Sequence, residues 1–99
     1  MKTDKSAKSA RLPRRRVSFR FEAGTRSDVR LAGSFNNWRT DTHRLSRRNG
    51  NGTYTATLLL PTGRYEYKFV VDGEWQCDSS SADQVPNEHG TLNSVIEVR

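Results

Sequence analysis

Two tryptophans and the polar residues around them are the part of this sequence best suited to chemistry. Trp38 ends the run Gly33–Trp38 (GSFNNW), and Trp75 ends the run Tyr67–Trp75 (YKFVVDGEW). Each run leaves a β-type pattern and ends in a polar stretch with turn residues, where the core is not the obvious place for an indole. Exposed indoles present flat apolar faces, so the pair predicts a binding surface.

Polar side chains near these tryptophans complement the flat faces. Lys68 is predicted on the outward face of the strand that leads to Trp75, where it offers ammonium donors, and Asn93 offers an amide that donates and accepts. Sugars combine apolar C–H faces with hydroxyl edges, so this combination fits a sugar site. From the residues alone a second interpretation stays open, in which each tryptophan folds back over the end of a small core.

The positive charge of the chain is concentrated at its start. Residues 1–16 hold seven basic residues against Asp4, and so carry the whole net charge of +6. Residues 17–99 are balanced, with ten basic and ten acidic residues. Because residues 1–16 lack apolar periodicity, we predict a disordered basic arm followed by one folded domain over residues 17–99. Such an arm attracts polyanions weakly and without sequence specificity.

The location and cofactor content follow from what the composition lacks. No apolar run approaches the roughly 20 residues of a membrane span, and a single cysteine, Cys77, fits a reducing compartment, so we expect a cytoplasmic protein without a membrane partner. His43 and His89 are the two histidines, and no spacing ties them together. We therefore expect no metal ligand, no general base and no cofactor.

Short alternating segments separated by turn residues indicate the fold class. The predicted strands are Val17–Glu22, Val29–Leu31, Thr53–Leu60, Arg64–Val71, Glu74–Gln76 and Ser94–Val98. Leu45 is expected to begin a short strand or to plug the edge of the core, Asn49–Gly52 is a hairpin signal, and residues 78–93 are predicted as loop. Without a helical apolar stripe, the pattern favours an all-β, immunoglobulin-like (early-set) antiparallel β-sandwich.

Three segments carry a resemblance to a known family. The runs Gly33–Trp38, Tyr67–Trp75 and Gly90–Val98 closely resemble the family 48 carbohydrate-binding module, found as the glycogen-binding domain of AMP-activated protein kinase β subunits and beside branching enzymes and isoamylases. The likeness covers Val17–Arg99. It implies an early-set β-sandwich that binds α-1,4-glucans such as glycogen, starch and malto-oligosaccharides, with no catalysis of its own.

The resemblance also assigns roles to individual residues. It implies that Trp38 and Trp75 stack on glucose units and that Lys68 hydrogen-bonds sugar hydroxyls. Thr91 and Asn93 match the Gly-Thr-x-Asn segment, which contributes further contacts. His89 stands where the kinase-subunit type carries a leucine, so its polar ring is expected to stack or hydrogen-bond, and the preference for curved glucans stays open.

Other function classes fit the sequence less well. A protein-interaction or scaffolding domain of the same fold, with weak or no sugar affinity, is the alternative, and a glucan-metabolising enzyme or another protein is the expected protein partner. Nucleic acid is expected to bind at most weakly through the arm, because the aromatic region is not basic. An enzyme is not expected, since Asp72 and Glu74 bracket a turn glycine and Ser79–Asp83 lacks a base partner.

Overall fold

The computed structural model describes residues 12–24, 28–48 and 52–99 as an antiparallel β-sandwich. The strands of these residues are β1 (Arg14–Glu22), β2 (Val29–Gly33), β3 (His43–Arg44), β4 (Ser46–Arg48), β5 (Thr53–Pro61), β6 (Gly63–Val71), β7 (Glu74–Gln76), β8 (Asp83–Pro86) and β9 (Leu92–Val98). A 3-10 helix, Ser34–Asn36, follows β2. The predicted all-β class and antiparallel sandwich are confirmed.

The first sheet has the strand order β1-β5-β4. Its long pair aligns Arg14 with Pro61 and Glu22 with Thr53. Alternation directs Phe19 into the core, where it is 3% exposed, while the side chains on either side of it in sequence are exposed.

Strand β1 begins earlier than the sequence predicts, and this corrects part of the predicted arm. Residues 1–11 lie outside the described residues, but Arg14, Arg15 and Arg16 pair with the end of β5 and are not part of an unpaired arm. The Arg15 Nε atom also donates to the Arg99 carbonyl oxygen at 3.0 Å. An edge strand is held by backbone hydrogen bonds, so these arginines can extend β1. No apolar alternation in the sequence marks this extension.

The second sheet has the order β3-β2-β6-β9-β8, with β7 also paired to β6. On one edge β6 pairs with β2 throughout residues 67–71. On the other edge it pairs with β9 over residues 63–67 and with β7 over residues 69–71. Lys68 therefore lies where β6 changes partner, and its side chain emerges beside the gap between β9 and β7.

The core lies between the two sheets. Its buried members are Phe19, Val29, Leu31, Leu45, Tyr54, Leu58, Leu60, Tyr67, Phe69 and Val98. Ring contacts join the layers: the Phe19 and Tyr67 centroids are 5.1 Å apart, and those of Phe21 and Phe69 are 4.9 Å apart. Tyr67 and Phe69 point inward from β6, which agrees with the outward face predicted for Lys68 and leaves that face for the site.

Leu45 lies where the chain passes from one sheet to the other. It is 3% exposed and separates β3, which pairs with β2, from β4, which pairs with β5. The antiparallel pairing of β4 with β5 agrees with the predicted hairpin, although residues 49–51 of its turn lie outside the described residues.

The predicted loop over residues 78–93 contains a strand and is wrong there. Strand β8 pairs with β9 from Asp83 opposite Val95 to Pro86 opposite Leu92. Only Val85 in this strand is apolar and partly buried, as suits a sheet edge, so no alternation marks it. The β8–β9 connection is consequently a tight loop, residues 87–91.

Candidate functional site

An open groove of about 870 Å³ lies on the outer side of the second sheet. It is lined by Trp38, Glu66, Lys68, Trp75, Asn87, Glu88, His89, Thr91 and Asn93. The structure therefore brings all six residues predicted from the sequence to one place, although they come from β6, β7, β9 and two loops.

Strand pairing places Lys68 and Trp75 on the same face. Trp75 lies opposite Val70, which is two residues beyond Lys68 and shares its side of the sheet. The two-residue turn between β6 and β7 has positive φ at Asp72 (50°) and Gly73 (87°), which is the geometry of a tight hairpin turn. Trp75 is 47% exposed, so it does not cover the core.

The loop that carries Trp38 is organised by the Asn36 side chain. Its Oδ1 accepts from the Gly33 amide at 3.0 Å, and its Nδ2 donates to the Leu31 carbonyl oxygen at 3.1 Å and to His43 Nδ1 at 3.0 Å. The backbone partners fix the amide orientation, so His43 accepts through Nδ1. Asn36 thus ties the 3-10 turn to both β2 and β3.

The backbone at Trp38 is strained. Asn37 has φ 58° and Trp38 has φ 60°, and the Trp38 amide donates to the Gly33 carbonyl oxygen at 2.9 Å. A left-handed conformation costs an ordinary L-residue about 1–2 kcal/mol. The loop tolerates this cost because hydrogen bonds fix it, and the strained conformation directs the indole to the groove. Strained backbone of this kind is often found at functional sites.

Lys68 is nearly buried, at 7% exposure. Its Nζ donates to Thr91 Oγ1 at 3.1 Å and to the Leu92 carbonyl oxygen at 2.9 Å. An ammonium has three hydrogens, so one is left without an acceptor within the described parts of the chain and is available to a ligand in the groove.

The loop after β8 is organised by Asn87. Its Oδ1 accepts from the amides of His89 (2.9 Å) and Thr91 (3.1 Å), and its Nδ2 donates to Thr91 Oγ1 (2.7 Å) and Asn93 Oδ1 (2.9 Å). The amide therefore uses both donors and both acceptor positions within the protein.

Asn93 is 6% exposed and only partly satisfied by the protein. Its Nδ2 donates to Glu66 Oε1 at 3.0 Å, and Glu66 Oε2 accepts from Arg64 Nη1 at 3.3 Å. Among the described residues, one N–H and one lone pair of the Asn93 amide have no protein partner. A buried amide with spare capacity beside a groove is suited to a polar ligand.

The segment after Trp75 is fastened to the sheet. The Tyr67 hydroxyl donates to Asp78 Oδ2 at 2.6 Å, and the Asp78 amide donates to Ser94 Oγ at 2.8 Å. Burial, followed by the contact with Asp78, raises the pKa of Tyr67, so the phenol stays a donor. This contact holds the chain between β7 and β8.

Three groove residues were not predicted from the sequence: Glu66, Asn87 and Glu88. Two signals were available, since Glu66 lies two residues before Lys68 on the same strand face, and asparagine in a short loop that also contains Gly90 is typical of an Asx-turn.

His89 is highly exposed, with Nε2 3.7 Å from Glu88 Oε2. Across the described parts of the chain, no group of three His, Cys, Asp or Glu side chains is placed to hold a metal.

Comparison with known proteins decides the family. The model of the family described as the glycogen recognition site of AMP-activated protein kinase matches residues 15–99. The chain belongs to this family. As a glycogen-recognition domain it is a carbohydrate-binding module, and the family match does not favour the scaffolding alternative.

Three relatives illustrate the similarity. Subunit beta-1 of 5'-AMP-activated protein kinase from Sus scrofa is 40% identical over 81 residues, covering 82% of this chain and 62% of the relative. The Bos taurus beta-1 subunit is 41% identical over 81 residues (82% and 28%), and the Mus musculus beta-2 subunit is 38% identical over 96 residues (97% and 33%). The chain thus spans less than two thirds of each.

Among its described residues, none of the helices could cross a membrane.

Proposed function

We propose that the groove binds α-1,4-linked glucans such as glycogen, starch and malto-oligosaccharides. The observation that carries the proposal is the convergence of two indoles, the Lys68 ammonium and the half-satisfied Asn93 amide on one open groove in a glycogen-recognition domain. Indole faces suit the apolar C–H face of a glucose ring, and the polar groups suit its hydroxyls.

Each groove residue has a distinct role in this proposal. Trp38 stacks on a glucose unit from its loop and Trp75 stacks on another from β7. Lys68 and Asn93 hydrogen-bond hydroxyls from the floor, and Thr91 adds a hydroxyl at the rim. His89 replaces an apolar contact with an exposed ring that stacks or hydrogen-bonds.

The domain is proposed to bind without catalysis. Glycosidic cleavage needs a free pair of carboxyl groups flanking the bond. Glu66, in the groove, is engaged by Asn93 and Arg64. Asp72 accepts from the Asp28 amide at 2.8 Å, so its carboxylate supports a turn.

A protein partner and a location belong to the proposal as well. The relatives are named as subunits of a protein kinase, and a binding module acts by bringing something attached to it to its ligand. We propose that this domain brings an associated protein, such as a glucan-metabolising enzyme, to glycogen or starch. The cytoplasmic location stays a prediction.

A titration with a soluble glucan tests the sugar site. Maltoheptaose is added while tryptophan fluorescence is followed, and cellohexaose serves as the control with the wrong linkage. The chain has two tryptophans, so Trp38→Ala and Trp75→Ala each leave one indole as reporter. We expect saturable binding of maltoheptaose alone, weakened in both variants. Equal response to both sugars, or unchanged affinity in both variants, would contradict the proposal.

A further inference from the structure

The direction of each hydrogen bond around Asn87 can be read from the backbone. Its Oδ1 faces two amide N–H groups, of His89 and Thr91, which only donate. The other end of the side chain must then be the NH₂ group, and it donates to Thr91 Oγ1 and Asn93 Oδ1.

These directions determine where the Thr91 hydroxyl proton goes. Thr91 Oγ1 lies 2.7 Å from Asn87 Nδ2 and 3.1 Å from Lys68 Nζ, and both of those groups are donors. A hydroxyl oxygen has two lone pairs, and the two donors use both. The hydroxyl proton has no acceptor among these partners, and Thr91 is exposed at the groove, so its proton is left for a ligand.

The donor position of Asn87 Nδ2 also fixes the orientation of the Asn93 side-chain amide. Its Oδ1 accepts from Asn87, so its Nδ2 faces Glu66 and donates there. The second N–H of Asn93 and the third N–H of Lys68 add to the donor at Thr91. One fully satisfied amide therefore fixes a groove edge made mainly of donors.

We propose that Asn87 is a positioning residue that turns the Thr91 hydroxyl into a fixed donor to glucan oxygen atoms. It has no spare hydrogen-bonding capacity for the sugar and acts through Thr91 and Asn93. The inference rests on the proposed function, and it adds a role for a residue that neither the sequence pattern nor the family match assigns.

The substitution Asn87→Asp tests this role with little change of shape. The carboxylate still accepts from the two backbone amides, but it presents an acceptor to Thr91, whose proton turns away from the groove. We expect about tenfold weaker binding of maltoheptaose, the size of one or two lost hydrogen bonds. Gln84→Glu, an exposed β8 residue outside the groove, adds the same charge and is the matched control, with unchanged affinity expected.

A double-mutant cycle separates this role from a merely structural one. Thr91→Val removes the hydroxyl and is expected to cost about tenfold, while Thr91→Ser keeps it and stays close to the parent. Because Asn87 acts through Thr91 as well as Asn93, the double variant Asn87→Asp with Thr91→Val is expected to lose more affinity than either single variant but clearly less than a hundredfold. A hundredfold loss, or unchanged affinity in Asn87→Asp, would overturn the inference.

Thermal unfolding and the amide resonances of His89 and Thr91 report whether the loop is intact. If Asn87→Asp disrupts it, Asn87→Ser replaces that variant, because a serine hydroxyl accepts from the same amides but cannot supply both donors. We expect at least threefold weaker binding, and parent-like affinity would count against the inference. If the parent protein binds maltoheptaose, a negative result with the variants overturns only the role of Asn87. If the parent itself does not bind, the proposed function fails.

Discussion

Lys68 is a charged side chain held almost out of water, and it has no ionic partner among the described residues. Its ammonium contacts a hydroxyl and a carbonyl oxygen, while Glu66, two residues earlier on the same face, is engaged by Asn93 and Arg64. Burying an ammonium against neutral acceptors costs stability. A ligand that takes the third N–H is a reason to keep the charge there.

The substitution Lys68→Met tests this trade between stability and binding. It keeps most of the apolar stem and removes the charge, so we expect about tenfold weaker maltoheptaose binding and an unfolding free energy within about 1 kcal/mol of the parent or above it. Sugar titration and urea denaturation measure the two effects. Lys68→Arg, which retains a cation, is the comparison, and unchanged affinity in Lys68→Met would show that the ammonium does not touch the sugar.

The positive φ of Trp38 makes a second residue-scale prediction. Trp38→Gly and Trp38→Ala both remove the indole, but only glycine relieves the left-handed strain. We expect the glycine variant to be about 1 kcal/mol more stable than the alanine variant, with sugar binding weakened equally in both. Chemical denaturation compares them, and an alanine variant as stable as the glycine one would argue against strain at this position.

Among the secondary-structure elements, the strands that could be predicted are those in which apolar and polar residues alternate. Strand β6 was predictable because aromatic and aliphatic residues occupy every inward position, and this placed Lys68 on the outer face. Strand β8 was not, because its pairing depends on backbone groups at a sheet edge with one partly buried valine. The hydrogen bonds from Asn87 to Thr91 and Asn93 depend on the short β8–β9 loop. Because β8 was not predicted, this loop and the role of Asn87 were not predicted either.

An ion cluster joins β2 to β3 and makes stability depend on pH. Asp28 carboxylate oxygens lie 2.9 Å from Arg30 Nε and 2.9 Å from Arg44 Nε. The hydrogen bond from Arg30, and then the charges of both arginines, hold the pKa of Asp28 below its usual value, with desolvation opposing them. A lowered folded-state pKa means stability that is present above the unfolded pKa and is lost as pH falls through the folded pKa.

The substitution Asp28→Asn is therefore expected to lower the unfolding free energy at pH 7. The side chain is 40% exposed and screened by solvent, so the loss should stay under about 1 kcal/mol. The difference from the parent should shrink below about pH 4 as the parent carboxyl becomes protonated. Denaturation at several pH values measures it, with Asp41→Asn as control, because the Asp41–Arg39 pair is confined to one exposed loop. A loss independent of pH would contradict the assignment.

For the chain as a whole, the net charge and the groove residues lie in different parts of the sequence. Residues 1–16 hold the net charge of +6, while the groove is built from the charge-balanced remainder. A neutral glucan releases no counterions on binding, whereas a polyanion does. The two kinds of ligand should therefore respond differently to salt.

Deleting residues 1–11 tests this separation. We expect maltoheptaose affinity to be the same with and without the segment and between low and high salt. Any binding of heparin should weaken steeply with salt and fall on deletion. Titrations of both ligands at two ionic strengths measure it, and a loss of sugar affinity on deletion would show that the groove depends on the basic segment.

The proposed occupation of the groove between Trp38, Trp75 and the β8–β9 loop by α-1,4-glucan can be tested directly. An amide-detected nitrogen–proton NMR titration with maltoheptaose locates the sugar directly, because two indole N–H signals and the side-chain amides of Asn87 and Asn93 report from within the groove. We predict saturable shifts of both indoles and of residues 87–93, little change on the outer face of β1 and β5, and no response to cellohexaose. Shifts confined to the first sheet, or none with either sugar, would show that α-1,4-glucan does not bind in this groove.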